Sequence, residues 1–161
     1  MRAVVLFGEM GSGKSFLGRT LARQTGLPYF EGDDFLPAEL KAKVAKVNPL
    51  TVFEVNLFVT GHLIPGIIEL ARLHKNFVVS QALYRRDHRE QIQTELNMLQ
   101  IDVEYRWVRP RSFFSHISQL AKRSRGFKWI AVMLVSKLWF QKPDSNVPAI
   151  HNDFKTQPTI K

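Results

Sequence analysis

Short, fully apolar segments alternate along the chain with segments in which apolar residues recur every three or four positions. Arg2–Phe7 is an apolar run containing adjacent valines, which is typical of a strand buried on both faces of a sheet. Between Lys14 and Thr25, leucines four positions apart predict an amphipathic helix that stops at Gly26. This alternation favours an α/β fold built on one parallel, doubly wound sheet.

The same alternation continues towards the end of the chain. We predict further strands over 28–31, 77–80, 101–108 and 147–150. We predict further helices from about Pro37, over 52–75 with a kink or break at Gly61 and Pro65-Gly66, from Asp87, over 112–124, and over 129–140. The length fits one domain, which we place at 1–151 and expect to be followed by a loose polar tail at 152–161.

The glycine-rich segment between the first strand and the first helix reads GEMGSGKS over 8–15 and matches the pattern G-x-x-x-x-G-K-S. Its glycines allow successive backbone N–H groups to surround a phosphate, and the helix that follows points its positive dipole end at the same anion. Lys14 would bridge the β- and γ-phosphates, and the Ser15 hydroxyl would hold Mg²⁺. We therefore predict a site for ATP and Mg²⁺, with cofactor-binding residues Gly8, Gly11, Ser12, Gly13, Lys14, Ser15 and Phe16.

Acidic residues follow the second predicted strand at Glu31, Asp33 and Asp34. Ligands of open α/β sheets bind at the carboxyl ends of strands, so we expect these acids to face the nucleotide crevice. Transfer of a phosphoryl group to an alcohol needs an acceptor for the hydroxyl proton and support for Mg²⁺. The Glu31 and Asp33 pair is the candidate for both tasks, whereas Asp34 suits a helix N-cap in a solvated turn.

The order of these features resembles the gluconate kinase and shikimate kinase group of small P-loop kinases, with gluconate kinase the closer match. The segments that carry the resemblance are 8–15, 31–37, Pro49-Leu50, Gln81-Ala82-Leu83 with His88-Arg89-Glu90, and Gly126-Phe127 through 133–137 to Pro143. The resemblance implies a three-layer P-loop fold with an arginine-rich lid at about 122–130. It also implies that Glu31 supports Mg²⁺ and that Asp33 binds the acceptor hydroxyl and acts as base. The catalytic residues would be Lys14, Asp33 and the lid arginines Arg123 and Arg125.

Positions that handle the acceptor in gluconate kinases differ in this chain. The family's D-x-D-R is Val52-Phe53-Glu54-Val55, its S-A-L-K lysine is Tyr84, its lid histidine is Phe127, and its late glutamate is Lys142. The differences indicate an acceptor other than gluconate, smaller or less hydroxylated, or a drift towards a non-catalytic role. Arg85 and Arg89 follow the third strand, and we expect them to bind an anionic acceptor, although a solvated helix start explains them equally well.

The net charge of +9 has a local origin, because 106–142 contains nine lysines and arginines and no acidic residue. Such a segment attracts anions, which could be a nucleotide, an acidic metabolite or a nucleic-acid backbone. The chain has no cysteine, which excludes disulfides and cysteine-bound zinc, and its five histidines show no metal-binding spacing. No segment reads as a targeting signal or a membrane span, so we expect a cytoplasmic protein.

The sequence leaves three functions open. The first is an ATP-dependent kinase that phosphorylates a hydroxyl of a small, anionic metabolite. The second is an ATP-binding switch or partner module without transferase activity, and the third is nucleic-acid binding through 106–142. The sequence does not decide between a monomer and a homodimer.

Overall fold

In the computed structural model, the described residues are 1–110, 132, 134 and 136–152. They form a five-stranded parallel sheet in the order β2-β3-β1-β4-β5. The strands are β1 (Arg2–Phe7), β2 (Tyr29–Glu31), β3 (Asn76–Gln81), β4 (Asp102–Pro110) and β5 (Ala149–Asn152). The helices are α1 (Lys14–Thr25), α2 (Ala38–Ala45), α3 (Val52–Phe58), α4 (Ile64–Leu73) and α5 (Arg86–Met98), with a 3₁₀ turn at Gly32–Phe35.

The two faces of β1 belong to two separate hydrophobic clusters. Val4 and Leu6 pack with Leu17 and Leu21 of α1 on one face. Ala3, Val5 and Phe7 project to the other face and belong to the cluster that includes buried residues of α3, α4 and α5. Since successive side chains of a strand alternate between faces, an entirely apolar β1 needs helices on both sides. The predicted three-layer, doubly wound α/β fold is confirmed.

The interruption predicted in the helical segment near Gly61 is a π turn. Val59–Leu63 has π geometry between α3 and α4, and Pro65 lies in the first turn of α4. Across this interruption 52–73 is one helical stretch, long and apolar enough by length and composition alone to cross a membrane. In this stretch 28% of the apolar window is buried, and the buried residues, including Leu63 and Ile67, belong to the cluster on the sheet.

The last strand lies two residues later than predicted. β5 spans Ala149–Asn152 instead of 147–150, and Asn152 is buried at the end of the strand, so the assignment of Asn152 to the polar tail was wrong. Residues 136–139 are helical, as predicted for the end of the 129–140 helix. The predicted helix 112–124, the lid at 122–130 and the remaining tail at 153–161 lie outside the described residues.

Candidate phosphate-transfer site

The glycines of the P-loop (residues 8–15) have backbone conformations that other residues rarely adopt. Gly8, Gly11 and Gly13 have φ angles of 154°, 74° and 91°. At Gly8 an added Cβ would lie 2.3 Å from the carbonyl oxygen of Val108, because the loop passes directly against β4. The loop then enters α1 at Lys14, so the N–H groups of the first helical turn, which have no acceptor within the helix, lie beside the loop.

Replacing Gly8 by alanine is expected to destabilise the protein and to remove ATP binding. The positive φ alone costs about 1–3 kcal/mol for a non-glycine residue, and the overlap with Val108 adds to it. Gly61→Ala is the matched control, because a Cβ there meets nothing within 4 Å. Thermal unfolding and calorimetric ATP titration of both variants test the expectation. Equal stability of the two variants would contradict the close approach of the loop to β4.

Glu31, at the end of β2, lies at the centre of a hydrogen-bond network beside the P-loop. The Ser15 hydroxyl donates to one carboxylate oxygen of Glu31, and the Tyr29 hydroxyl donates to the other at 3.1 Å. Tyr29 also bonds Ser80 Oγ at 2.7 Å, and Arg19 lies 3.8 Å from the carboxylate. Burial, the largest influence, raises the pKa of Tyr29 to about 12, so the phenol stays protonated.

Asp33 lies in the 3₁₀ turn that follows β2 and lines the same cleft as Lys14. Desolvation by the surrounding protein raises the pKa of Asp33, and the charge of Glu31 adds to this rise. The positive charge of Lys14 and a hydrogen bond from Gln81 act in the opposite direction. Asp33 is therefore a carboxylate with increased basicity that remains accessible to solvent.

The turn that carries Asp33 is held by close packing on two sides. Gln81 packs so tightly on Gly32 that an added Cβ would lie 2.8 Å from the glutamine Cβ. The ring of Phe35 packs on Gly66 of α4, where an added Cβ would lie 2.3 Å from the ring. Both glycines allow close approach, and the turn is consequently positioned against β3 and α4.

One cleft of about 490 Å³ lies at the carboxyl ends of the strands. Of the sequence-predicted site residues within the described part of the chain, those lining it are Gly11, Gly13, Lys14, Ser15, Glu31, Asp33 and Arg85. Gly8, Ser12, Phe16 and Arg89 are not among its lining residues. Ser12 is buried beneath the loop, and Phe16 is 45% exposed on α1, so only its backbone N–H remains a candidate for a phosphate contact.

Arg89, predicted to bind substrate, is a structural residue. It is only 6% exposed, and its guanidinium lies over the ring of Phe7 at 4.9 Å. Two of its N–H groups donate at 2.9 Å to the carbonyl oxygens of Leu83 and Gln141. The guanidinium therefore joins the segment after β3 to the segment before β5, and the prediction of substrate contact by Arg89 is corrected.

Arg85 does line the cleft, but it is paired with an acid of its own helix start. Its Nε donates at 2.9 Å to Asp87, and Nη2 contacts the same carboxylate. The neighbouring Arg86 pairs with Asp144 at the surface. Of the three arginines that follow β3, Arg85 is thus the one placed to meet a ligand in the cleft.

Two segments near the C-terminus contact the P-loop, and these contacts were not predicted. The side-chain amide of Asn152, which is 1% exposed, donates to the Ser12 carbonyl at 3.2 Å. Lys137 lies 3.4 Å from the Glu9 carboxylate. Nothing local in the sequence indicates these contacts, because the partners are more than 120 positions apart. Tyr29 could have been predicted, since side chains two apart in a strand share a face and Glu31 was already a candidate.

The basic segment 106–142 is partly neutralised where the structure describes it. The Arg106 side chain is only 12% exposed and pairs with Glu104. Lys137 faces Glu9, and Arg109 lies over the ring of Trp107 at 4.5 Å. Five of the nine basic residues of this segment lie outside the described residues, so nucleic-acid binding through 106–142 stays a prediction.

Comparison with known proteins places the fold. A family model described as shikimate kinase matches residues 10–49. An adenylate kinase of Pyrococcus abyssi is 32% identical over 83 residues, or 47% of this chain and 36% of that protein. A probable gluconokinase of Xenopus tropicalis is 38% identical over 47 residues, or 29% of this chain and 25% of that protein. The alignments thus span well under half the length of these curated relatives.

The solved structure of a gluconokinase from Sinorhizobium meliloti matches with a TM-score of 0.74 at 21% identity, over 93% of this chain and 81% of that one. The chain has a P-loop kinase fold. Its resemblance to the gluconate kinase and shikimate kinase group is confirmed by the family model and by the two gluconokinase matches. Arg123 and Arg125, which were predicted to belong to a lid, lie outside the described residues, and their role stays a prediction.

Proposed function

We propose that this protein is an ATP-dependent phosphotransferase that moves the γ-phosphoryl group onto a hydroxyl of a small metabolite. The observation that carries the proposal is the convergence of the P-loop Lys14, the Ser15–Glu31 pair and Asp33 on one cleft. A nucleotide-binding module without transferase activity needs only Lys14 and the Ser15–Glu31 pair. An accessible carboxylate of raised basicity beside the phosphate position supports transfer to an alcohol.

The proposed reaction proceeds by in-line displacement at the γ-phosphorus. The alcohol oxygen forms a bond to phosphorus while the bond to the β–γ bridging oxygen breaks, and ADP leaves with the electron pair. Asp33 accepts the proton of the attacking hydroxyl. Lys14 and the P-loop N–H groups stabilise the negative charge on the transferred group and on the leaving oxygen. Arg123 and Arg125 are proposed to cover the phosphates from the lid.

Mg²⁺ fits the oxygen ligands that the structure brings together beside the P-loop. Ser15 Oγ and the Glu31 carboxylate are in direct contact, and hard oxygen ligands of this kind suit Mg²⁺. Such sites use one or two protein ligands together with phosphates. Among the described residues no group of three or more His, Cys, Asp or Glu could form an all-protein metal site. Bound Mg²⁺ would neutralise phosphate charge during transfer.

Tyr29→Phe is expected to weaken binding of Mg²⁺ to the ATP-bound protein by about 10-fold, because the variant removes the hydroxyl that orients Glu31. The measurement is a calorimetric Mg²⁺ titration at saturating ATP. Tyr105→Phe is the control, since its hydroxyl donates at 2.6 Å to the Arg89 carbonyl instead. If both variants bind Mg²⁺ like the wild type, Tyr29 does not position Glu31.

The proposed function is tested by following labelled γ-phosphate from ATP in the presence of a panel of hydroxy acids, polyols and nucleosides. Transfer to an acceptor faster than to water supports the kinase. Tight MgATP binding with hydrolysis alone and no acceptor product would favour the non-catalytic module. We further propose that the protein acts in the cytoplasm on a soluble metabolite, as expected for an enzyme that draws on ATP.

A further inference from the structure

The part of the cleft formed by α2, α3 and the connection between them is mainly apolar. Its lining side chains there include Val47, Leu50, Val55, Phe58 and Val59. Phe58 and Val59 are buried, and Leu50 and Val55 pack against the same hydrophobic cluster. Of the described residues, those that an acceptor meets in this region are mainly apolar, with Asn48 and Asn56 as the polar ones.

Two polar residues of this region, Asn56 and Glu54, have partners within the protein. Asn56 lines the cleft, but its Oδ1 bonds His88 Nε2 at 3.0 Å. Glu54, the acid that remains from the gluconate kinase pattern, closes the capping box of α3 with Thr51 and pairs with Lys43 at 2.7 Å. These three contacts hold α3 in place, so the carboxylate of Glu54 is fixed as a helix cap.

Tyr84 occupies the position of the lysine in the S-A-L-K pattern of gluconate kinases. Its ring packs edge-on against Phe140 at 6.2 Å, and it lines the cleft. Burial raises the pKa of Tyr84 to about 12, so it presents a neutral aromatic surface. Arg85 supplies a positive charge beside this part of the cleft. A guanidinium has five N–H donors, and the bonds of Arg85 to Asp87 use donors on Nε and Nη2.

We propose that the acceptor is a hydroxy acid with a mainly apolar carbon chain. Its alcohol would lie at Asp33, its chain against the apolar wall around Val55, and its carboxylate at Arg85. This inference rests on the proposed function and names the substrate class of the same site. A polyhydroxylated acid is disfavoured because its internal hydroxyls would lose water against side chains that cannot replace those hydrogen bonds.

Gluconate and 6-hydroxyhexanoate form a matched pair for the test. Both have six carbons, a carboxylate and a terminal alcohol, and they differ only in the four internal hydroxyls. We expect kcat/KM for 6-hydroxyhexanoate to exceed that for gluconate by at least about 100-fold. Equal or better use of gluconate would overturn the inference while leaving the proposed kinase activity intact.

Variants of two residues on α3 test whether the apolar wall causes the preference for 6-hydroxyhexanoate over gluconate. Val55→Asn should reduce the ratio of the two kcat/KM values by about 10-fold, since it adds a hydrogen-bonding group to the wall. Leu57→Asn is the control, because Leu57 lies on the same helix, is 52% exposed and does not line the cleft. An equal change of the ratio in both variants would show that the wall does not select the acceptor.

A comparison of binding affinities tests the inference even if neither acid is phosphorylated. Calorimetric titration of each acid into the protein with bound ADP and Mg²⁺ is expected to show tighter binding of 6-hydroxyhexanoate. Tighter binding without transfer would count against the proposed kinase activity and support the assignment of the site. Equal affinity, preference for gluconate or no binding of either acid would overturn the assignment.

Discussion

Lys14→Ala is expected to abolish phosphate transfer and to lower the affinity for ATP by about 1.5–3 kcal/mol, the range for hydrogen bonds to charged groups. Lys14 lines the cleft beside Asp33 and stands at the first residue of α1. Its Nζ donates at 2.8 Å to the Glu9 carbonyl, which holds the ammonium group over the loop. Because the side chain is not part of either hydrophobic cluster, the fold should be retained.

The control for this variant is Lys75→Ala, which removes a lysine immediately before β3, at the end of the sheet remote from the cleft. Calorimetric ATP titration and an assay of labelled phosphate transfer compare the two variants with the wild type. Lys75→Ala should match the wild type in both. Wild-type turnover by Lys14→Ala would mean that 8–15 does not hold the phosphates.

Asp33→Asn is expected to keep MgATP binding close to that of the wild type and to lower kcat by at least about 100-fold, the low end of a general-base contribution. The amide preserves the shape of the side chain and its contact with Gln81 but cannot accept a proton. Since the surroundings raise the pKa of Asp33, the wild-type kcat should fall on acidification at a higher pH than an ordinary aspartate would cause. This decrease of kcat at acidic pH should be absent from the residual activity of Asp33→Asn.

Asp34→Asn tests which of the two neighbouring acids of the turn acts as the base. Asp34 is exposed, is not among the lining residues of the cleft, and should therefore tolerate the change with kcat near that of the wild type. Steady-state kinetics with the best acceptor over a range of pH provide the comparison. A large loss in Asp34→Asn together with an unaffected Asp33→Asn would move the base to Asp34.

Local sequence patterns determined the P-loop and the two elements that flank it. The glycine spacing of 8–15, the apolar β1 before it and the leucine pattern of α1 predicted the loop and the bounds of both elements, because each depends on neighbours within a few positions. The position of the acids after β2 at the cleft was predicted for a similar reason. In a parallel sheet, residues that directly follow the strands all lie at the carboxyl ends of the strands, so the sequence indicates at which end of the sheet they lie.

Only the tertiary structure decided which polar residues are available to a ligand. Arg85 and Arg89 are four positions apart and chemically identical, yet one lines the cleft and the other is buried against Phe7. Glu54 resembles a family site residue but caps its own helix. Asn152 was placed in a tail but supports the P-loop. Each outcome depends on packing between elements distant in the chain, and a pattern of neighbouring residues carries no information about such contacts.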